Sequence, residues 1–270
     1  MKQASIIIPT KDKLSRLRLI LKALEPQVDD SVEVIVIFDG CSRETIEKFK
    51  EVKLAYKPVE VVLEKNMGRA KARNSGILRA TGNIIIFLDD DRIPSPGFVS
   101  KHIKSHQKGR YAIIGERCDV EYPEDVLTRF YEKGFTDADY IQIEKDSVHE
   151  GFSLIKRIVR FILGQRIECV TFSTGNSSVE RQDLLNVNMF DSNYTGWGLE
   201  DTDLGYRLSR SGVKIKRDYS IANYHLVHPV NAAQQNSENK RNLDYFLKKL
   251  EGDKAAIRIT KLLHRIVYKL

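Results

Sequence analysis

At 270 residues, 41% of them hydrophobic and 30% charged, the chain is long enough to bury a sizeable core and too apolar to be disordered. Its longest apolar runs, such as Ile84 to Leu88, are far too short to span a bilayer. The net charge of +7 is uneven: residues 231–270 hold nine Lys or Arg against four Asp or Glu, and the other 230 residues are nearly balanced.

A first strand begins at Ser5 in SIIIPT, so no signal peptide is expected. Cys41, Cys118 and Cys169 are odd in number and scattered, which fits a reducing, cytoplasmic compartment. Helical spacing of Leu14, Leu17, Leu21 and Leu24 predicts a helix over 14–25. VEVIVIFDG reads as a strand stopped by Gly40, followed by a helix over 44–53 and a third strand, VEVVLE. A helix over 69–79 then leads to IIIFL, a strand that ends on Asp89, Asp90 and Asp91. This β-α-β-α alternation predicts an α/β fold, with a mainly parallel, Rossmann-like sheet flanked by helices. Ligands of such sheets lie beyond the carboxyl ends of the strands. Pro9, Thr10, Asp39 and Asp89 to Asp91 therefore share one rim.

Residues 117–168 have weaker periodicity, although 152–166 reads as a short basic amphipathic helix. Strong signals return with a strand, CVTFSTGN, and then YTGWGLEDTDLGYRLSRSG, a helix opened by glycines and closed by Gly212. A strand pair, VKIKR and SIANYH, follows. Two helices end the chain. Leu243, Phe246, Leu247 and Leu250 share one face of the first. Ile259, Leu262, Leu263, Ile266, Val267 and Leu270 share a face of the second, opposite Lys254, Arg258, Lys261, Arg265 and Lys269.

Three acids at the tip of a hydrophobic strand repel one another unless a cation neutralises them. Mg²⁺ or Mn²⁺ prefers oxygen ligands and commonly joins carboxylates to a substrate's phosphates. The competing reading is a solvated acidic turn before RIPSPG, but the position at the ligand-binding rim favours the cation.

Four ordered blocks, SIIIPTKDKLSRL, IVIFDGCS, NMGRAKARNSGILRATGNIIIFLDDD and GWGLEDTDLGYRL, together resemble the family 2 glycosyltransferases, which have the GT-A fold. The resemblance spans about residues 4–228, and its Trp-Gly-x-Glu-Asp block is similar to the acceptor-side segment of galactosyltransferases and chondroitin-type polymerases. It implies a GT-A domain over 1–230, with a nucleotide-sugar half (1–116) and an acceptor half (117–230), and a basic helical tail over 231–270. Pro9 and Thr10 would line the nucleotide, and Asp39 would accept hydrogen bonds from uracil or ribose, unless Asp39-Gly40 is merely a turn. Asn66, Gly68 and Arg73, at the start of a helix, would meet phosphate. Asp89 falls to the nucleotide sugar, Asp91 to the metal, and Asp90 to a variable, solvent-facing middle position. His225 is the first choice for a further metal ligand and His228 the second.

Gly175 and Asn176 would meet the donor sugar or the acceptor. Trp197 and Gly198 would bind the acceptor, unless Trp197 is a core residue. Asp201 would be the catalytic base and Glu200 would hold acceptor hydroxyls, although both also suit a helix N-terminus. The implied activity is metal-dependent, inverting transfer from a UDP-sugar to a hydroxyl on a glycan, lipid-linked sugar or peptide, in glycan or polysaccharide synthesis.

A nucleotidyltransferase is the alternative, but PTKDKLSR lacks the glycine-rich signature expected after the first strand. A dehydrogenase would need G-x-G-x-x-G there. A nucleic-acid partner is not expected, because the cations gather in the tail and do not line a groove with aromatics. That tail either packs on the body or lies on anionic lipid, which would place the enzyme at the inner face of the membrane.

Overall fold

The computed structural model describes residues 2–149 and 164–268, so most of the expected helix over 152–166 lies outside the described residues. The apolar runs of the first ninety residues form one half of a nine-stranded sheet, with the third of them at its edge. These are β1 (Ala4–Thr10), β2 (Val32–Asp39), β3 (Val59–Leu63) and β4 (Ile84–Leu88), in the spatial order β3-β2-β1-β4 and all parallel. Ile7 lies level with Ile35 and Phe87, so every central strand contributes to both faces. Ile6 and Ile8 enter one core with Leu17 and Leu21 of α1 (Leu14–Leu24). Ile7 enters the other, with Ala72 and Ile77, while α2 (Arg43–Phe49) follows β2 and α3 (Arg69–Arg79) carries those two residues. This period-two division of a continuous apolar run is what a strand buried on both faces requires.

The parallel core of the sheet is as expected, and beyond β4 antiparallel strands are added to it. After β5 (Arg92–Pro94) and α4 (Phe98–Ser105) the chain forms β6 (Tyr111–Val120), then α5 (Glu124–Lys133), α6 (Asp137–Asp146) and β7 (Val148–His149). β8 (Asn176–Glu180) runs antiparallel to both β4 and β6. The chain reaches β8 at the rim, with Asn176 level with Leu88, so it can only run back down the sheet. CVTFSTGN is therefore a strand only from Asn176. Cys169–Thr171 is a 3₁₀ turn, and Val170 and Phe172 are buried against the helix that begins at Glu200.

VKIKR and SIANYH are likewise not two strands but one. After α7 (Arg181–Asn186) and α8 (Glu200–Arg210), β9 (Lys214–Leu226) pairs with β6 on both sides of a bulge at residues 219–221, the register slipping where Gly115 faces Asp218 and Glu116 faces Ala222. Asp218 accepts from Ser220 N–H and Oγ (3.0 and 2.6 Å), a local turn that the sequence reads as a break.

The chain ends in α9 (Ala232–Lys249) and α10 (Lys254–Tyr268), and both helices pack on the body. Phe246 and Leu250 are buried with Tyr194 and Leu199, and Ile259 and Leu263 pack against the second core, where the last helix meets the turn Cys169–Thr171. Leu262 departs from the expected apolar face and is exposed; the side chains of Ile266 and Val267, and residue Leu270, lie outside the described part. Among the described residues no helix is long and apolar enough to cross a membrane.

Candidate active site

The parallel strands end on one rim, and the structure brings the acids there as expected but gives several of them unexpected partners. Asp90 is 5% exposed, not solvent-facing. It accepts from Thr10 Oγ1 (2.7 Å), so Thr10 offers its side chain inward, and Lys13 Nζ lies 3.4 Å away. Lys13 also reaches Asp91 Oδ2 (3.1 Å). The sequence reading did not single out Lys13; the only signal for it is its place, with Lys11, just past the end of a rim strand. Asp39 is 6% exposed and accepts from the backbone N–H of Met67 (2.6 Å) and Gly68 (3.0 Å). Asn66 Oδ1 accepts from the same Gly68 N–H (3.0 Å). Both Asp39 oxygens thus shape the loop that starts α3, and they do not face an open site.

Arg73 departs furthest from expectation. It is 3% exposed and reaches no surface where a phosphate could sit freely. Its Nη2 donates to Asp89 (3.1 Å), and its Nη1 to Glu200 (3.3 Å) and Asp201 (3.4 Å). Arg73 lies on the buried face of α3, with Ala70, Ala72 and Ile77, where a cation is tolerated only among carboxylates. One guanidinium therefore joins Asp89, just past β4, to the two acids that open α8.

Glu200 is buried, whereas the Asp201 side chain keeps 23% exposure. Asp201 is fixed by Thr174, whose N–H donates to Oδ2 (3.0 Å) and whose Oγ1 donates to Oδ1 (2.9 Å). Gly175 has φ +91°, and a Cβ there would collide with the Asp89 carboxylate; only glycine lets this loop pass. Asn176 turns away from the site: it is buried, its Nδ2 donates to Glu116 O (2.8 Å) and Ile221 O (2.9 Å), and His102 Nε2 lies 3.1 Å from its Oδ1. It ties β8 to the slipped register of β6 and β9 as a strut. Trp197 and Gly198 are half-buried in the loop before α8, and Trp197 is outside the buried core.

On the metal side β5 pairs with the end of β9, and Leu226 N–H donates to Asp91 O (2.8 Å). This brings both histidines to Asp91: His228 Nε2 is 3.3 Å from Oδ2 and His225 Nε2 is 4.0 Å from Oδ1. The three side chains offer ligand atoms within 4.8 Å of one another.

Residues 5–163 match the sequence model of Glycosyl transferase family 2. The chain belongs to this family. Residues 162–229 of this family 2 enzyme also match a model described as the N-terminal domain of galactosyltransferase. An uncharacterized glycosyltransferase, YfnE, of Bacillus subtilis is 29% identical over 265 residues, covering 85% of this chain and 66% of that protein. Chondroitin synthase of Escherichia coli is 28% identical over 235 residues, 82% of this chain and 34% of that one. The chain thus spans from about a third to just under two-thirds of these relatives' lengths. The crystal structure of GalNAc-T7 with UDP, GalNAc and Mn²⁺ superposes with a TM-score of 0.63 at 17% identity, covering 90% of this chain and 47% of that one. The fold is the GT-A fold, and family membership makes the chain a glycosyltransferase and sets the nucleotidyltransferase alternative aside.

The electrostatics of this glycosyltransferase site follow from burial and its counter-charges. Burial pushes Asp90 up to about 6 despite Lys13, and repulsion from Asp91 adds to the rise. Burial also raises Asp89, but Arg73 and Arg92 outweigh it and hold that carboxyl well below the usual range. Asp91, raised by burial and by Asp89, is pulled below its ordinary value by Lys13 and His225. Burial, then the neighbouring Asp201, push Glu200 up against Arg73.

Asp91, His225 and His228 fit a divalent cation by the chemistry of their donors. His225 Nδ1 lies 2.9 Å from Asp119 Oδ1 and His228 Nδ1 lies 3.0 Å from Pro229 O. Both Nε2 atoms turn toward Asp91, and the tautomer with Nδ1–H on these oxygens is the one a metal-binding imidazole needs; at His225, Arg117 Nη2 also lies 3.0 Å from Nδ1 and favours the other tautomer. Burial, with Arg117 and Arg92, pushes His225 below its ordinary value. A second group, Cys118, Glu144 and His149, is built differently. Cys118 Sγ meets His149 Nδ1 (3.3 Å) and Glu144 Oε1 meets Nε2 (3.1 Å), so the partners sit on opposite sides of one ring as a hydrogen-bonded chain.

Proposed function

We propose that this family 2 glycosyltransferase moves a sugar from a UDP-sugar to an acceptor hydroxyl with inversion at the anomeric carbon. The observation that carries this is Arg73, which holds Asp89 and the Glu200–Asp201 pair within one guanidinium's reach. Donor-side and acceptor-side carboxylates are thereby adjacent, as direct displacement requires. Pro9 and Thr10 line the nucleotide with backbone, and Asn66 and Gly68 meet its diphosphate at the start of α3. Asp89 faces the sugar beside Gly175. Glu200, through Arg73, sets the position of Asp201.

Asp201 takes the proton from the acceptor hydroxyl, and that oxygen attacks the anomeric carbon from the face opposite the diphosphate. The bond from the anomeric carbon to the diphosphate oxygen breaks, and no covalent enzyme intermediate forms. Asp91, His225 and His228 would hold a divalent cation, Mn²⁺ or Mg²⁺, whose positive charge would offset the negative charge developing on the departing diphosphate. The UDP and Mn²⁺ named with the GalNAc-T7 structure, and the name of the chondroitin synthase relative, support the nucleotide, the metal and a place in polysaccharide synthesis.

A screen of nucleotide sugars for hydrolysis and transfer, with and without Mn²⁺, tests the assignment; turnover that ignores the metal would refute it. Asp201→Asn is expected to lower kcat by about 10²–10⁴-fold while UDP affinity stays within about twofold of wild type. Lost UDP affinity in that variant would show that Asp201 binds donor and is not the base. The exposed Lys254, Arg258, Lys261 and Arg265 of α10 suit contact with anionic lipid at the inner membrane face, which co-sedimentation with vesicles would detect.

A further inference from the structure

The helix α9 begins four residues beyond His228 and carries a polar face that the chemistry above does not use. This face meets the loop Thr195–Gly198, immediately before Leu199 and Glu200. Asn242 is 3% exposed, and its Nδ2 donates to three carbonyls, those of Thr195 (3.1 Å), Trp197 (3.2 Å) and Gly198 (2.9 Å). Glu238 Oε2 accepts from Trp197 N–H (2.8 Å), and Arg241 Nη2 donates to Thr195 O (2.6 Å). Gly196 has φ +75°, and a Cβ there would collide with the Glu238 carboxylate, so the loop is moulded to that side chain.

A glycine-bracketed loop of this length has many conformations of similar energy, and ordering it costs entropy. Phe246 and Leu250 already supply the apolar packing of α9. A buried amide and a carboxylate aimed at four backbone groups add geometry that packing alone would not give.

We infer that Glu238 and Asn242 are positioning residues. They set the backbone of Trp197 and Gly198, and through it the start of α8 with Glu200 and Asp201, for an incoming acceptor. This rests on the glycosyltransferase reading of the site. Neither residue touches substrate, so donor binding is independent of both.

Trp197 is the single tryptophan of the chain, and its fluorescence reports on this loop alone. Acrylamide quenching is measured for wild type, Asn242→Ala, Glu238→Ala and Glu238→Gln, together with binding of UDP with Mn²⁺ and transfer to a panel of p-nitrophenyl glycosides. Both alanine variants are expected to raise the quenching constant about twofold or more, because the loop's backbone groups return to water. Acceptor KM should rise about 10- to 100-fold, as for a misplaced binding element, with donor KM and UDP binding within about twofold of wild type. Glu238→Gln keeps an oxygen for Trp197 N–H and should behave as wild type. Unchanged quenching in the alanine variants, or a fall in donor and acceptor use together, overturns the assignment. A wild-type chain that binds no UDP would instead refute the reading of the site, and the quenching result would still decide whether α9 holds the loop.

Discussion

Arg73 shows how one side chain can define a site. Three carboxylates lie within 3.4 Å of its terminal nitrogens, and its charge offsets their mutual repulsion. Replacing it by methionine keeps much of the volume and removes the charge. Arg73→Met is expected to cost about 3–5 kcal/mol of stability at neutral pH, the usual penalty for stranding buried charge. Asp89 gives this effect its pH signature. Its folded pKa is depressed, so its stabilisation is present above the ordinary carboxylate pKa and is lost as pH falls through the folded value. The gap between wild type and Arg73→Met in urea midpoint should therefore narrow below about pH 4. A gap that widens on acidification would mean that Arg73 does not neutralise these acids.

Elements carry a second layer of constraint. α4 and β8 share a buried polar chain in which His102 Nδ1 lies 2.9 Å from Ser178 Oγ and His106 Nε2 lies 2.8 Å from the same hydroxyl. Burial pushes His102 down to about 3 and His106 to about 4, from an ordinary 6.5, so both are neutral struts that hold Asn176 and the slipped register in place. The unfolded chain takes up protons first. The stabilisation from these groups is complete above pH 6.5 and drains away as pH falls toward 4 and then 3. His106→Gln, which can still bond Ser178, should flatten the dependence of unfolding free energy on pH between 6.5 and 4 by up to about 1.4 kcal/mol per pH unit. Equal slopes in the two proteins would show that His106 is protonated in the folded state.

At the scale of the molecule, the sheet brings together residues from opposite ends of the chain: Asp91 after β4, and His225 and His228 at and beyond the end of β9. A cation bound there ties the N-terminal half to the C-terminal half, and so stabilises the fold by mass action. At a hundredfold excess over its Kd, Mn²⁺ should add about 2.7 kcal/mol and raise Tm by several degrees, and EDTA should reverse the effect. Asp91→Ala should abolish the shift. A shift that survives in that variant would move the cation elsewhere.

The β-α-β-α alternation, the acids at strand ends and the helix opened by GLEDTDL were legible in the sequence because each depends on local periodicity and composition, which neighbouring residues set among themselves. The strand at CVTFSTGN and the break in β9 were misread for the same reason: apolar Val170 and Phe172 serve a turn packed on α8, and Ser220 caps a bulge inside one strand. Charge balance was not legible at all. Whether Arg73 meets phosphate or carboxylates, whether Asp90 faces water, and whether Asn176 meets a sugar or a backbone carbonyl depend on which groups the fold buries beside them, and burial decides both the partner and the proton. Sequence spacing named the acids. Only the tertiary structure could supply their counter-ions, because Lys13 lies 77 residues from Asp90 along the chain and Arg73 lies 128 from Asp201.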